Sequence, residues 1–428
     1  MLVLALCFSG SADAGGGYFV LGYGPLAHQS AGTSTAIGLD AFAGASNPAK
    51  LAAVGERLDV GVVVFMPHRR IEREGSDTPY DFSSTSKNTL FFLPEAGYAR
   101  RIDERLSWGV ALYGNGGLNT EYRDDTGVPD TNANPARCGD RPGNFFFGCG
   151  KLGFDLSQLI VAPTLSWTFS PGQSLGVAPL LAYQQFKAYG LQAFEGVSAH
   201  PDAVSNQGYD SSFGAGARIG WYGTFTPWLS LGAAYSTRVY MQDFDEYRGL
   251  LAGGGSFDIP ANYSVGLALA PAPGLIVGID VQRIEFGDIK ALGNGVLNSL
   301  QDPEGSPLGS DRGSGFNWSN QTNYRIGIAY TVMPRLTLRG GFAYGKRPQR
   351  DAGPNSVSFN LLAPNPIRNV TAGFTWELNL HSDLQFAYGR YLKGTYDGPS
   401  ATAGLGVGGR ESVTPYVDTI WLGWSRRF

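Results

Sequence analysis

The chain predicts an all-β fold, a closed membrane barrel of fourteen antiparallel strands behind an N-terminal plug. Three observations carry that prediction. From Leu58 onward, apolar and polar residues alternate in segments of about ten, as a strand with lipid on one face and a lumen on the other requires. No stretch past the N-terminus is apolar over eighteen positions, which excludes membrane-crossing helices. The composition is 43% hydrophobic and 13% aromatic with only 16% charged residues and a net charge of -4. The mean hydropathy of -0.11 is near neutral, as a two-faced wall demands. A secreted β-sandwich or propeller shares the composition but not the regular run of ten-residue segments.

The N-terminus reads as an export signal over residues 1–14. An apolar start, Met1 to Leu6, leads to Ser11-Ala12-Asp13-Ala14, where Ala12 and Ala14 fit an A-x-A cleavage site before Gly15. A positive n-region is missing, and Leu6 before Cys7 disfavours a lipoprotein site. Residues 15–57 then show no alternation. They run through Gly17-Tyr18-Phe19-Val20 to Ala45-Ser46-Asn47-Pro48-Ala49-Lys50 and are poor strand material, so this segment is expected to be a plug or hatch.

The barrel is expected over 58–428, with strands at 58–66, 88–100, 106–122, 156–169, 174–188, 212–224, 228–242, 257–270, 275–286, 323–331, 335–344, 367–377, 382–391 and 416–428. Fourteen is even, as single-chain bacterial barrels require. Leu336, Leu338, Phe342 and Tyr344 share one parity and should face lipid, while Arg335, Thr337 and Arg339 take the other. Leu229, Leu231, Ala233, Tyr235 and Val239 oppose Ser230, Ser236 and Arg238 in the same way, as Leu384, Phe386 and Tyr388 oppose Asp383 and Gln385. An arginine facing lipid at midplane costs on the order of 2–4 kcal/mol. Arg218, Arg238, Asp280, Arg325, Arg339 and Asp383 are therefore placed in the lumen, with Lys187 a further candidate.

Short links such as Ser170-Pro171-Gly172-Gln173 and Thr226-Pro227 alternate with long ones at 123–155, 189–211, 287–322 and 345–366, which assigns the short turns to the periplasmic side. Cys138 and Cys149 then fall in an external loop. An even pair in an oxidising compartment suggests a disulfide. No metal set is apparent, since His28, His68, His200 and His381 are scattered, and no cofactor or nucleic-acid partner is expected. Trp108, Trp167, Trp221, Trp228, Trp376, Trp421 and Trp424 lie near strand ends, where interfacial girdles belong.

The closing strand ends on Phe428, and this terminal aromatic resembles the signal that bacterial outer-membrane barrels present to their assembly machinery. With Ser46-Asn47-Pro48-Ala49 in the plug, Ala234-Tyr235-Ser236-Thr237-Arg238-Val239, Ile259-Pro260 and Val281-Gln282-Arg283, the chain resembles the FadL family of outer-membrane transporters for long-chain fatty acids and aromatic hydrocarbons. The resemblance spans the mature chain. It implies a monomer in outer-membrane lipid and lipopolysaccharide that passes hydrophobic molecules from an external groove to a pocket at the hatch, and then sideways through a gap at a kinked third strand. The candidate opening is Gly114-Asn115-Gly116-Gly117, where glycines within a strand mark a bulge or bend. Candidate substrate contacts are Phe19, Asn47 and Pro48 from the plug and Arg218, Arg238 and Arg339 from the wall. These cations either hold a carboxylate or pair with Asp280 and Asp383 to fill the lumen. Family members that take fatty acids often carry a basic residue just before the tenth strand, but Asn317-Trp318-Ser319-Asn320-Gln321-Thr322 has none, which leaves neutral hydrocarbons open.

Two other function classes use the same kind of barrel. A general diffusion porin conflicts with the plug. An outer-membrane hydrolase needs a catalytic constellation, and none stands out: His381 and Asp383 are two apart on one strand, and no enzyme is expected. Gly172-Gln173-Ser174-Leu175-Gly176 matches G-x-S-x-G but sits in a hairpin turn with no following helix, and Gly404-Leu405-Gly406-Val407-Gly408-Gly409 matches G-x-G-x-x-G in a loop.

Overall fold

Fourteen long strands form one closed antiparallel sheet. The computed structural model describes residues 17–76, 80–122, 138–349, 360, 368–400 and 408–428. The proposed signal peptide and its cleavage site lie outside the described residues, as do most of loop 345–366 and Gly404 to Val407.

In chain order the wall strands are β1 (Arg57–Ser76), β2 (Phe91–Arg101), β3 (Leu106–Tyr122), β4 (Leu152–Ser170), β5 (Gln173–Tyr189), β6 (Asp210–Thr226) and β7 (Leu229–Ser236). They continue as β8 (Asn262–Ala272), β9 (Leu275–Ile284), β10 (Gln321–Met333), β11 (Leu336–Gly345), β12 (Arg368–Asn379), β13 (Ser382–Tyr391) and β14 (Gly408–Arg427). Each pairs with its chain neighbours, and β1 closes on β14 from Arg57↔Arg427 to Ser76↔Gly408. Three short strands, Phe82–Thr85, Tyr240–Met241 and Tyr396–Pro399, add to the outer ends of β1, β6 and β14. All fourteen expected segments are strands, and the ends of β1 and β14 run past their expected limits. Gly408 and Gly409 belong to β14 rather than to a loop.

Alternation sorts the faces as physics demands. Ile219, Val265, Ile279, Ile328, Leu338, Phe342, Leu384 and Leu422 are exposed on the outer surface, where lipid replaces water. Arg218, Asp280, Arg325 and Asp383 are buried inside. Two expected lumenal placements fail. Ser236 and Val239 are both buried although three positions apart, because Thr237 is an extra residue: its N–H donates to Ala217 O at 2.9 Å while its hydroxyl accepts from Ala217 N–H at 3.1 Å. Val239 thus turns inward and Arg238 outward. Lys187 shares the parity of exposed Leu181 and also faces out, its ammonium 4.1 Å from the Tyr209 ring.

Trp108, Trp167, Trp228 and Trp376 are exposed beside the short turns and form a belt at that end. Trp421 corrects the girdle expectation. It points into the barrel, 1% exposed, and its indole N–H donates to Glu95 at 3.0 Å.

The residues ahead of β1 fold inside the wall. They contain α1 (Pro25–Gln29), α2 (Ala43–Ser46) and a 3-10 turn, Pro48–Ala53. Pro25 and Pro48 open the first and last of these, where a missing N–H is harmless. Asn47 caps the 3-10 turn by accepting from Ala49 N–H at 3.2 Å.

Candidate functional site: a cavity behind an interrupted wall

The wall is interrupted between β2 and β3. β2 pairs with β3 from Arg101↔Ser107 to Ala96↔Leu112 and no further. Yet β2 stays paired to β1 as far as Phe91↔Phe65, and β3 stays paired to β4 as far as Tyr122↔Leu152. From Tyr113 outward, β3 therefore has a wall partner on one side only.

The cause lies within β3. Register with β4 shifts between Gly114↔Leu159 and Gly116↔Gln158, leaving Asn115 as an extra residue. The buried side chains are Ala111 and Tyr113 before the bulge and Leu118, Thr120 and Tyr122 after it. Asn115 turns inward and joins a chain of buried polar groups. Tyr23 Oη–H donates to Asn115 Oδ1 at 2.9 Å, Asn115 Nδ2–H to Gln158 Oε1 at 2.9 Å, Gln158 Nε2–H to Gln184 Oε1 at 3.0 Å, and Gln184 Nε2–H to Phe257 O at 3.0 Å.

The bulged backbone finds its partner in the hatch. Val20 N–H donates to Asn115 O at 3.2 Å, and Gly117 N–H donates to Tyr18 O at 3.1 Å. The approach is too close for side chains. A Cβ on Gly116 would lie 2.1 Å from Tyr18 O, and one on Gly117 would lie 2.3 Å from Leu156 O.

Above the gap the wall resumes through a lintel. Lys87 N–H donates to Glu121 O at 2.8 Å, Asn88 Nδ2–H donates to Asn119 Oδ1 at 2.7 Å, and the Arg69 guanidinium donates to Asn119 O. The stretch of β3 from Leu112 to Asn119 is about 23 Å long at ~3.3 Å per residue. Behind it lies a cavity of about 440 Å3. Phe19, Phe65, Arg69 and Tyr391 line its lumenal end, while Phe92, Ser157, Gln185 and Tyr209 line its outer end. The cavity thus joins lumen to exterior, and its volume lies within the ~300–1,000 Å3 common for ligand sites.

A second, smaller cavity of about 80 Å3 sits among the outer loops, walled by Phe146, Leu191, Phe194, Leu250, Leu308 and Phe316. Aromatic rings link the two: Phe316 to Trp318 at 6.2 Å, Trp318 to Phe286 at 5.3 Å, and Phe286 to Phe19 at 5.6 Å between centroids.

Of the expected substrate contacts, Phe19 lines the large cavity together with Gly116 and Gly117. Asn47 and Pro48 do not: both are buried where the hatch meets β6, with Asn47 Nδ2–H donating to Thr35 O at 3.0 Å and to Trp221 O at 2.8 Å. Arg218 donates to Gly44 O at 2.9 Å and Arg339 to Gln29 Oε1 at 2.8 Å, so both clamp the hatch. Arg325 donates to Gly32 O at 3.0 Å, and Asp280 accepts Ser34 N–H at 2.7 Å and Thr35 N–H at 2.8 Å. Arg238 lies at the outer rim, 3.6 Å from Asp258. Cys138 and Cys149 are joined in a disulfide, Cα atoms 5.3 Å apart. Arg69 and the lintel escaped the sequence reading. Position 69 lay beyond the expected end of the first strand at 66, so parity was not applied to it, whereas the strand runs to Ser76. Among the described residues no cluster of His, Cys, Asp or Glu is arranged to hold a metal.

A hatch-plugged fourteen-strand barrel with an opened wall defines a transport protein of the bacterial outer membrane. Residues 152–402 match the family described as outer membrane protein transport protein (OMPP1/FadL/TodX), and the chain belongs to that family. The barrel is similar to the toluene transporter TodX of Pseudomonas putida, with a TM-score of 0.67 and 17% identity over 95% of this chain and 99% of that one. It is similar to the toluene transporter TbuX of Ralstonia pickettii, with a TM-score of 0.63 and 17% identity over 95% and 99%. A Pseudomonas aeruginosa FadL homologue gives 0.68 and 16% over 96% and 100%. At such identities these likenesses concern the fold. No curated protein matches the sequence.

Proposed function

We propose that the protein takes up hydrophobic molecules passively, by lateral diffusion through the gap beside the bulged β3, with residues 15–57 acting as the hatch. The observation that carries this reading is the 440 Å3 cavity, which begins at Phe19 and ends on the outer face between β2 and β3. The apolar pocket at Phe146, Phe194 and Leu250 is the capture point, and the aromatic rings from Phe316 to Phe19 are the way inward. Lateral release suits such cargo. Each methylene returned to water costs about 0.8 kcal/mol, a cost that passage into the bilayer avoids. The known cargo of relatives agrees in kind, since TodX and TbuX are toluene transporters. No chemical step is required, and the chain acts as a channel rather than an enzyme.

The test is uptake of labelled oleate, toluene and a small sugar by cells lacking a transporter of this type, with and without this gene. Gain for oleate or toluene but not sugar is expected. Gain for sugar alone would replace this reading with an open porin.

A further inference from the structure

We infer that the Cys138–Cys149 hairpin is the size-setting jaw of the outer capture pocket: while the bond is intact, the pocket admits a slender alkyl end and refuses a fused ring. The inference rests on the transport reading above and adds a specificity determinant to it.

The pocket measures about 80 Å3 and its lining is largely apolar. An engineered apolar cavity of about 150 Å3 holds benzene. At roughly half that volume, this one accommodates a methyl group or a chain end, and a ring system enters only if a wall moves. The cavity further in, at about 440 Å3, is large enough for either. Selection by width therefore falls on the outer pocket.

One of its walls is a hairpin. Gly143 and Cys149 pair as an isolated bridge, Asn144 N–H donates to Gly148 O at 3.0 Å, and Gly150 N–H donates to Pro142 O at 2.7 Å. The Asn144 carboxamide closes the tip, accepting Phe146 N–H at 3.0 Å and Gly148 N–H at 3.1 Å. Three rings then splay in separate directions. Phe145 stacks on Phe82 at 4.4 Å, Phe146 meets Phe194 edge-on at 6.2 Å, and Phe147 meets Tyr80 at 6.1 Å. Of the three, Phe146 lines the pocket.

The opposite wall is stitched to this hairpin. Asn144 Nδ2–H donates to Gly190 O at 2.9 Å, and Cys149 N–H donates to Gln192 Oε1 at 3.0 Å. Gln192 opens the 3-10 turn Gln192–Val197, which brings Phe194 and Val197 into the lining. The approach is tight, since a Cβ on Gly148 would lie 2.0 Å from Gly190 O. From the barrel, Arg73 of β1 donates to Phe145 O at 3.4 Å while paired with Glu411 of β14 at 2.6 Å. Cys149 is thus part of the suture, and its bond to Cys138 ties the base of the hairpin. A cross-link of this kind removes the open conformations of the segment it closes, and so holds Phe146 against Phe194.

The experiment compares a narrow with a broad substrate in cells lacking a transporter of this type. Uptake of labelled dodecane and of labelled phenanthrene is measured with the wild-type chain, which should favour dodecane by about tenfold. Cys138→Ser together with Cys149→Ser should bring the ratio toward unity by raising phenanthrene uptake. Phe146→Ala should do the same, and Phe147→Ala should leave the ratio as it was. Phe146→Ala retains the bond and answers the question where the serine pair does not assemble. A wild-type ratio near one, or a ratio unmoved in Phe146→Ala or in an assembled serine pair, overturns the inference while leaving hydrophobic transport standing. Uptake of neither substrate by the wild type overturns it too, and a lack of oleate and toluene uptake besides would remove the transport reading with it.

Discussion

The two sides of this barrel hold the same hatch by different backbone arrangements. On the side of β6 to β12 the backbone ladder is complete, and charged wall residues reach in to hold hatch backbone: Arg218 on Gly44 O, Asp280 on the amides of Ser34 and Thr35, Arg325 on Gly32 O. On the side of β1 to β3 Asp59 and Glu95 likewise accept the amides of Ala41 and Gly24, but the ladder stops at Ala96↔Leu112, and at the bulged β3 the hatch meets the wall through its own backbone at Tyr18 and Val20, with apolar rings around it. Where the wall is whole, ionised side chains hold the hatch; at the break, backbone-to-backbone bonds at Tyr18 and Val20 join the Tyr23–Asn115 contact. A buried charged contact is costly to break. Two backbone bonds beside a cavity are far easier to exchange for a ligand's contacts.

The largest expected effect comes from breaking the open side. Gly116→Val together with Gly117→Val places atoms where Tyr18 O and Leu156 O stand at 2.1 and 2.3 Å from a Cβ. Overpacking costs ~1–3 kcal/mol per site, and uptake of the labelled substrate should fall about tenfold or more in a barrel that still folds. Undiminished uptake in that folded double variant would remove β3 from the path. Next comes the sealed side. Asp280→Ala leaves the amides of Ser34 and Thr35 without their acceptor at about 1–3 kcal/mol each. Hydrogen exchange at both should rise, and single-channel conductance should appear where the wild type is quiet; unchanged exchange would mean that the clamp carries no load.

A smaller effect is expected at the loop above the open side. Reducing the Cys138–Cys149 bond should loosen only that loop, by ~2–3 kcal/mol of local stability. Limited proteolysis with and without reductant checks this, and free thiols in the untreated chain would contradict the bond itself. The smallest effect sharpens the account of the sealed side. Burial, and then the neighbouring Asp59, push the Asp40 carboxyl up to about 6, against opposing help from Lys50 and Arg57. A raised folded pKa means that this group favours the seated hatch most below about pH 4, the unfolded value, and that the benefit is lost as pH rises through about 6. Hatch protection measured from pH 4 to 7 should decline over that window and flatten in Asp40→Asn.

How much of this was legible in the sequence divides along a physical line. Strand order, strand number and the facing of most wall residues follow from period two, because lipid penalises any polar residue on the wrong face. The bulge at Asn115 was visible through its glycines, since only a residue without a side chain tolerates Tyr18 at that distance. The bulge at Thr237 was not, because threonine is an ordinary strand residue and the extra position shows only in its paired bonds to Ala217. Parity also placed Arg218 and Arg339 inside without telling that hatch groups would occupy them. Arg69 was not placed at all, because β1 was expected to end at 66 and runs to Ser76. Partnership is a three-dimensional fact, set by which segment of the hatch lies opposite, and nothing local in the chain encodes it.

The seam between β1 and β14 has a bearing on how the molecule is built. Arg57 Nη2–H donates to Ser425 Oγ at 3.1 Å across 368 positions of chain, and the ladder continues from there to Ser76↔Gly408. Contacts so distant in sequence form late, because the entropy of closing so large a loop must be met before any of them is gained. The hatch is tethered directly to the first residue of that seam. Seating while the sheet is still an open curl would spare it from threading a finished cylinder, with the last strand then closing around a passenger already aboard.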